Sequence, residues 1–366
     1  MKIVIITCFE SNEERLKLVY DACKTRNYDV KAYSSDFSHI RKQTRTQKPE
    51  HIDLIHVKPY KKNLSFARIL SHMKFAKDVF SMVEKDVPDL IWLIAPANSL
   101  IKEAKAFKKE HPSIRIIIDI IDMWPESLPV RMNKNLLPFA MWKNIRARNI
   151  DCANAVVSEC DMYQTILQKE YKGKINTIYL ARDNEEIIIE PNADNSKLSL
   201  VYIGSINNII DIDKIVRIIA SCDQDVILHI IGEGENTDEF VEKARTVCEV
   251  VYHGAIRDEK KKSLIFNQCH AGINIYRSNL YIGFTTKCID YFAHGLPIIN
   301  TIKGDTWKMA NERDAGINLE ENSVIKSEVL MRQRLNYKNI VELYNENFTR
   351  EVFSRKCLDV IDEVSR

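Results

Sequence analysis

Two stretches of this chain combine residue types that can do chemistry. In the first, IDIIDMWPES, three carboxylates stand within eight positions, Asp119, Asp122 and Glu126, and Trp124 lies among them. Carboxylates this close can orient a hydroxyl or take its proton, and an indole offers a flat apolar surface to a sugar ring. A plainer role fits the same residues, with Asp122 capping a turn, Trp124 in the core and Pro125 starting the turn. In the second stretch, YIGFTTKCIDYFAHGLPIIN at 281–300, a polar turn leads into a short helix from Lys287 to His294. Gly295 ends that helix, Pro297 prevents it from restarting, and an apolar strand follows from Ile298. The free N–H groups and positive dipole of a helix start suit a phosphate. Lys287 in the first turn and Asp290 one turn later, on the same face, supply a cation for phosphate and a carboxylate for ribose hydroxyls. An ordinary capped surface helix also accounts for these residues.

The elements around these stretches alternate. Lys2 to Cys8 is short, continuous and β-branched, which predicts a buried parallel strand. A helix from Asn12 to Arg26 follows, then strands at Val30 to Tyr33 and Ile52 to Val57, with a polar, basic loop over 34–50 between them. Lys61 to Glu84 predicts a long amphipathic helix with Leu64, Ala67, Leu70, Phe75, Val79 and Met82 on its apolar face. Its other face carries Lys61, Lys62, Arg68, Lys74 and Lys77. Such a helix packs on a sheet or lies on an anionic membrane surface. A strand over 88–96 and a helix from Asn98 to Glu110 lead to the apolar strand Ile114 to Ile118. That strand delivers the carboxylate loop to the carboxyl edge of a parallel sheet, where ligands bind. Helices at Leu136 to Ile150 and Cys160 to Glu170, and strands at Ala155 to Val157 and Ile175 to Tyr179, complete a first domain, 1–182.

Residues 181–197 break the alternation with Asn, Asp and Glu around one Pro, as a linker does. The alternation then restarts. Strands at Leu198 to Ile203, Val226 to Ile231, Val250 to His253 and Ala271 to Tyr276 are each followed by a turn and helix, within a second domain, 198–335. The tail, 336–366, reads as one helix. Strand and helix alternating throughout predict an α/β fold of two doubly wound parallel sheets.

Composition sets the remaining bounds. At 366 residues the chain exceeds one ordinary core. Its nine cysteines form no CxxC pair and no zinc-spaced cluster, so no metal site or disulfide framework is expected, and a reducing cytoplasm fits. The start, MKIVIITCF, is too short and too soon polar for a signal peptide, and no apolar run approaches a membrane span. Residues 1–180 carry a net charge of +9 and the remainder −7. A basic first half suits an anionic acceptor or lipid, and drift in surface charge explains so modest an excess equally well. No aromatic-interleaved basic patch points to nucleic acid. Neither Gly204 nor Gly232–Gly234 completes GxGxxG, and Walker and GxSxG motifs are absent, which sets aside hydride transfer, ordinary phosphotransfer and serine hydrolysis.

With these signals in place, Leu198 to Pro297 resembles the large retaining glycosyltransferase family with the GT-B fold, which includes bacterial capsular and exopolysaccharide enzymes. The marks are YIGSI, HIIGEGE, YHGAI and GFTTKCIDYFAHGLPII, and the WPES loop and the tail ENFTREVFSRK extend the resemblance over most of the chain. It implies two Rossmann-like domains facing a cleft, a last helix that crosses back to the first domain, and closure that excludes water. It also implies that Gly204, Ser205 and Asn207 lie along the donor diphosphate, and that Ala255 and Ile256 sit beside the base. Thr285, Thr286 and Lys287 would bind phosphate, and Asp290 would hold the ribose. Asp122 and Glu126 would be catalytic, with Asp119 and Trp124 on the acceptor side. The chain departs from the family at Ile282, where a Glu often touches the donor sugar, and at Ile121, where a His is frequent. Ser205, Ile206 and Asn207 stand where an Arg and then a Lys are common, and Cys8, Phe9 and Glu10 replace a glycine-rich acceptor loop.

The function implied is transfer with retention from a nucleotide sugar, a UDP-sugar in the first instance, to a saccharide or lipid-linked saccharide in surface polysaccharide or glycoconjugate synthesis. It needs no metal and no cofactor beyond the donor itself. The expected place is the cytoplasm, with peripheral contact at the inner face of the membrane. Two rivals remain. One is a sugar-nucleotide epimerase. The other is a non-catalytic partner of an active glycosyltransferase, for which the missing Glu and His speak.

Overall fold

A computed structural model describes residues 1–129, 133–134, 136–182, 190–191, 196–320 and 325–366, so most of the linker predicted at 181–197 lies outside the described residues. The chain divides into two units, Met1–Leu180 with Arg350–Arg366, and Ala181–Thr349.

In the first unit the short apolar runs become strands and the amphipathic stretches between them become helices. In order they are β1 (Lys2–Thr7), α1 (Glu13–Thr25), β2 (Asp29–Ser35), β3 (Phe37–Ser38), β4 (Gln43–Thr44), β5 (Asp53–Ile55), α2 (Phe66–Asp86), β6 (Leu90–Ala95), α3 (Asn98–Glu110), β7 (Arg115–Ile120), α4 (Leu137–Ala147), β8 (Ala155–Ser158), α5 (Asp161–Glu170) and β9 (Ile175–Thr177). The main sheet runs β5-β2-β1-β6-β7-β8-β9 with every neighbouring pair parallel. Strands covered on both faces need continuous apolar runs, and Ile3–Ile6 and Leu90–Ile94 are fully buried at its centre. The order reverses between β1 and β6, which puts a switch point at Phe9. The loop expected over 34–50 carries the antiparallel pair β3–β4, and Arg45 ties it to Glu13 of α1.

Helix α2 corrects the predicted apolar face. Phe75 and Val79 are buried as expected, but Leu64, Leu70 and Met82 are exposed and Arg68 and His72 point inward. Residues 68, 72, 75, 79 and 83 form the buried stripe, so two polar side chains hold inward positions that the apolar count assigned elsewhere.

The second unit contains β10 (Leu198–Ile203), α6 (Ile212–Ala220), β11 (Val226–Ile231), α7 (Thr237–Arg245), β12 (Glu249–Gly254), α8 (Glu259–Asn267), β13 (Ala271–Asn274), α9 (Lys287–Ala293), β14 (Ile298–Asn300), α10 (Asp305–Glu312), β15 (Gly316–Asn318), α11 (Ser327–Leu335) and α12 (Tyr337–Asn347). Its parallel sheet runs β12-β11-β10-β13-β14-β15, with the reversal between β10 and β13. The tail predicted as a single helix is two. Phe348 leaves the helix, is fully buried, and stacks on Phe284 with ring centroids 5.1 Å apart. Only the last helix, α13 (Arg350–Ser365), belongs to the first unit, where it packs on α1 through Arg26–Asp362 at 2.7 Å and through Phe353 beneath the Arg15 guanidinium.

Candidate functional site

At the switch point of the second unit, β10, β11 and β12 each end at a glycine with positive φ, Gly204, Gly232 and Gly254. The turns lock together through backbone, Gly204 N–H donating to Ile231 O at 3.0 Å and Gly232 N–H to Gly254 O at 2.8 Å. A Cβ on Gly232 would stand 2.0 Å from the Gly204 carbonyl oxygen, so only glycine allows this approach. The donor N–H expected of Gly204 is therefore already used. Ser205, exposed beyond it, is the next N–H in the turn.

Opposite Gly204 stands Lys287. Its ammonium is buried, has no hydrogen-bond partner, and lies 3.9 Å from the centroid of Tyr202 and 5.0 Å from that of Tyr276. A Cβ on Gly204 would come within 3.8 Å of Lys287 Nζ, so the cation faces the bare backbone of the glycine turn. Burial pushes the Lys287 ammonium down to about 7, against a weak opposing pull from Cys288. A buried cation without a partner is costly. It also stands ready for an anion.

The helix that carries Lys287 is fixed from three sides. Tyr291 Oη accepts from Ile203 N–H at 3.0 Å, and its ring fills the place a Cβ on Gly272 would take. Arg334 donates to the carbonyls of His294 and Gly295 at 2.8 Å and caps the helix C-terminus. Three asparagines occupy the same register at the ends of β13, β14 and β15. Asn318 accepts from Asn300 at 2.7 Å, Asn300 from Asn274 at 2.9 Å, and Asn274 from the Thr285 hydroxyl at 2.8 Å. Thr285 thus gives its hydroxyl to this ladder, while Thr286 is exposed.

Asp290 does not share the surroundings of Lys287. Its carboxylate is buried between Arg182 at 2.8 Å and Lys262 at 3.3 Å, an arrangement that occupies both oxygens. Asn207 accepts from Ile209 N–H and shapes its own turn. Ala255 is exposed and Ile256 half-buried just past Gly254.

In the first unit the predicted carboxylates separate. Asp119 is fully buried and binds Arg15 through both oxygens, at 2.8 and 2.9 Å, while also accepting from Trp92 Nε1 at 3.0 Å. This pairing commits both carboxylate oxygens, which removes Asp119 from the acceptor side. Glu126 is held by Arg146 at 2.8 and 3.1 Å, and Arg146 also binds Glu170. Burial raises the Glu126 carboxyl, but the hydrogen bonds and charge of Arg146 outweigh it and leave the pKa lowered. Asp122 stays at the carboxyl edge, accepting from Trp124 Nε1 at 2.6 Å and from Ser127 Oγ. Burial pushes its carboxyl up, against the hydrogen bonds from Ser127 and Trp124. One face of Trp124 is already covered by the Arg68 guanidinium, 4.4 Å from the ring centroid. Nearby Glu159 was not singled out in the sequence. Burial raises its carboxyl to about 7, with Arg15 opposing and Asp122 reinforcing.

Residues 197–327 match the family described as Glycosyl transferases group 1. That match lies within the second unit. The lipopolysaccharide outer core galactosyltransferase WaaB is similar over 99% of both chains, with 13% identity and a TM-score of 0.67. A glycosyltransferase from Rickettsia africae gives 12% identity and 0.67 over 100% of this chain and 98% of its own. Anabaena Alr3699/HepE, solved with UDP and glucose, gives 12% and 0.65 over 99% of both. These likenesses show the fold, that of GT-B glycosyltransferases. No curated protein sequence matches the chain. In the second unit, the asparagine ladder and the two tyrosines around Lys287 escaped sequence reasoning. The ladder had a signal, since β13, β14 and β15 all end in Ile-Asn.

Proposed function

We propose that the chain transfers a sugar, with retention and without a metal, from a UDP-sugar to a saccharide or lipid-linked saccharide acceptor. The observation that carries this is the buried, unpartnered Lys287 facing the glycine turn at Gly204. α9 has only seven residues, so the cation, rather than the helix start, is the anchor for a diphosphate. In this reading Lys287 and the N–H groups of Ser205, Thr285 and Thr286 stabilise charge on the departing diphosphate. Ala255 and Ile256 line the base, and Asp122 orients the acceptor hydroxyl. HepE, solved with UDP-glucose, supports the choice of donor class. Ribose recognition by Asp290 requires that it exchange part of its pairing with Arg182 and Lys262 for the hydroxyls.

The place proposed is the cytoplasm, at an anionic membrane surface. None of the helices among the described residues is long and apolar enough to cross a membrane. Phe66 and Leu70 are 84% and 64% exposed on α2, and Lys61, Lys62 and Lys74 are exposed around them, as membrane contact requires.

Calorimetry with UDP and a turnover assay with nucleotide sugars test the function. Asp290→Ala should weaken UDP binding, and Asp122→Ala should lose turnover with UDP affinity kept. Unchanged UDP affinity in the first variant, or full activity in the second, removes that residue from the proposal. The rival reading, a nucleotide-binding partner without turnover, is favoured by Ile282 and Ile121, which stand where a Glu and a His are frequent. UDP binding with activity appearing only in a second protein would decide for it.

A further inference from the structure

Four arginines are buried among the described residues, and three are each held by at least two hydrogen bonds, although Arg15 Nη1 and Arg334 Nη2 have no partner. Arg15 binds Asp119, Arg146 binds Glu126 and Glu170, and Arg334 binds the carbonyls of Cys269, His294 and Gly295. Arg68 is different. Its side chain donates to Asn63 O at 3.0 Å and meets the Tyr60 hydroxyl, and its Nε has no partner. Its guanidinium lies 4.4 Å from the Trp124 ring centroid, 5.6 Å from Phe9 and 5.8 Å from Tyr60.

The orphaned polar atoms around it are concentrated here. Both ring nitrogens of His72 and Nδ1 of His39 are buried without partners, and the Tyr60 hydroxyl has Arg68 beside it. The rings of His39 and His72 each stand 5.0 Å from Phe9, and His72 stands 5.9 Å from Tyr60. Lys42 adds a second cation, 5.1 Å from the centroid of Tyr60. The nearby carboxylates are committed: Asp122 to Trp124 and Ser127, and Glu10 to Ser38. Burial pushes Arg68 down, and burial with the Arg68 charge pushes His39 to about 4 and His72 well below its usual range, so the histidines stay neutral. A metal ion would meet a guanidinium here whose charge Asp122 offsets only in part. An anion would accept hydrogen bonds from groups that otherwise lie desolvated and unpaired, a costly state. The cluster sits beside Phe9 at the switch point of the first sheet, where α/β sheets bind ligands.

We propose that Arg68, with His72, Tyr60 and His39 around it, binds one anionic group, a carboxylate or phosphate carried on the acceptor sugar. The acceptor assignment rests on the transferase reading; the anion site itself does not. Calorimetry on the full chain tests it with glucuronate, glucose 6-phosphate and, as the neutral control, glucose. At least one anionic sugar should bind, more weakly as salt is raised, and glucose should bind at least ~10-fold more weakly. Binding of glucuronate alone assigns a carboxylate, and of glucose 6-phosphate alone a phosphate ester. Arg68→Met should weaken that binding by ~30-fold or more while UDP affinity stays unchanged. Arg68→Lys, which keeps the charge but loses the planar fork, should fall between, and His72→Phe should lose several-fold and serves if Arg68→Met does not fold. Absence of binding by both anions, equal binding of glucose, or undiminished binding in the variants overturns the proposal. Failure of UDP binding in the same preparation would instead strike the transferase reading and leave the anion result standing.

Discussion

Donor binding should take up a proton, and Lys287 should be where it goes. The free ammonium titrates at about 7 because it is buried against Tyr202, Tyr276 and Cys288 with no anion nearby, Asp290 being turned to Arg182 and Lys262. A diphosphate laid against it supplies that anion and returns the pKa toward its ordinary value of ~10.4. The sign follows directly. Below pH 7 the lysine is already charged and binding costs nothing extra, whereas above 7 each bound donor must first recruit a proton. At pH 8 only ~9% of the free protein carries the charge, a penalty of ~1.4 kcal/mol. Affinity for UDP-glucose should therefore fall ~30-fold between pH 6 and pH 8.5. Calorimetry in buffers of different ionisation enthalpy should count ~0.9 proton taken up per donor at pH 8 and ~0.1 at pH 6. The diphosphate diester has no proton of its own to exchange in this window. Lys287→Met should bind weakly at every pH and lose the dependence. If wild type takes up no proton at pH 8, or if the methionine variant keeps the same pH profile, Lys287 is not the diphosphate's cation.

Further outcomes follow from the same geometry. Asn300→Leu breaks the ladder at its middle and strands the Asn274 amide and Asn318 carbonyl, so stability should fall by ~2–4 kcal/mol in chemical denaturation. Donor affinity should fall with it as Asn274, the partner of Thr285, loses its own anchor, and unchanged affinity would show the ladder to be independent of the site. Gly232→Ala drives a methyl into the Gly204 carbonyl, and UDP binding should be lost by at least ~10-fold; retention would mean the turns can separate freely. Glu159, with its carboxyl raised to about 7, binds its proton more readily folded than unfolded. Stability should therefore decline as pH rises from 4.5 to 7, by on the order of 1–2 kcal/mol after screening, and Glu159→Gln should remove that slope in urea titrations at several pH values. Phe66→Ser with Leu70→Ser should reduce co-sedimentation with anionic vesicles several-fold. Equal sedimentation would take α2 out of membrane contact.

The alternation of strand and helix, and with it two doubly wound sheets, was legible in the sequence because it follows from local chemistry. Ile3–Ile6 and Leu90–Ile94 are apolar whichever way the chain turns, and Gly204, Gly232 and Gly254 mark strand ends because only glycine accepts the turn that follows. Lys287 too was visible, as a cation after a polar turn. Partnership was not. Whether a buried charge finds a counter-ion depends on residues far away in sequence: Asp119 meets Arg15 across 104 positions and Asp290 meets Arg182 across 108, which takes the first carboxylate off the acceptor side and turns the second to cations of its own. Arg68 looked like the solvent face of a helix because the apolar count placed the core elsewhere, and burial put it inside beside His72. The sequence by itself determined which residues form the two sheets and where their turns must be. Only the tertiary structure decided which of its charges were already answered and which, Lys287 and Arg68, were left without a carboxylate hydrogen-bonded to them.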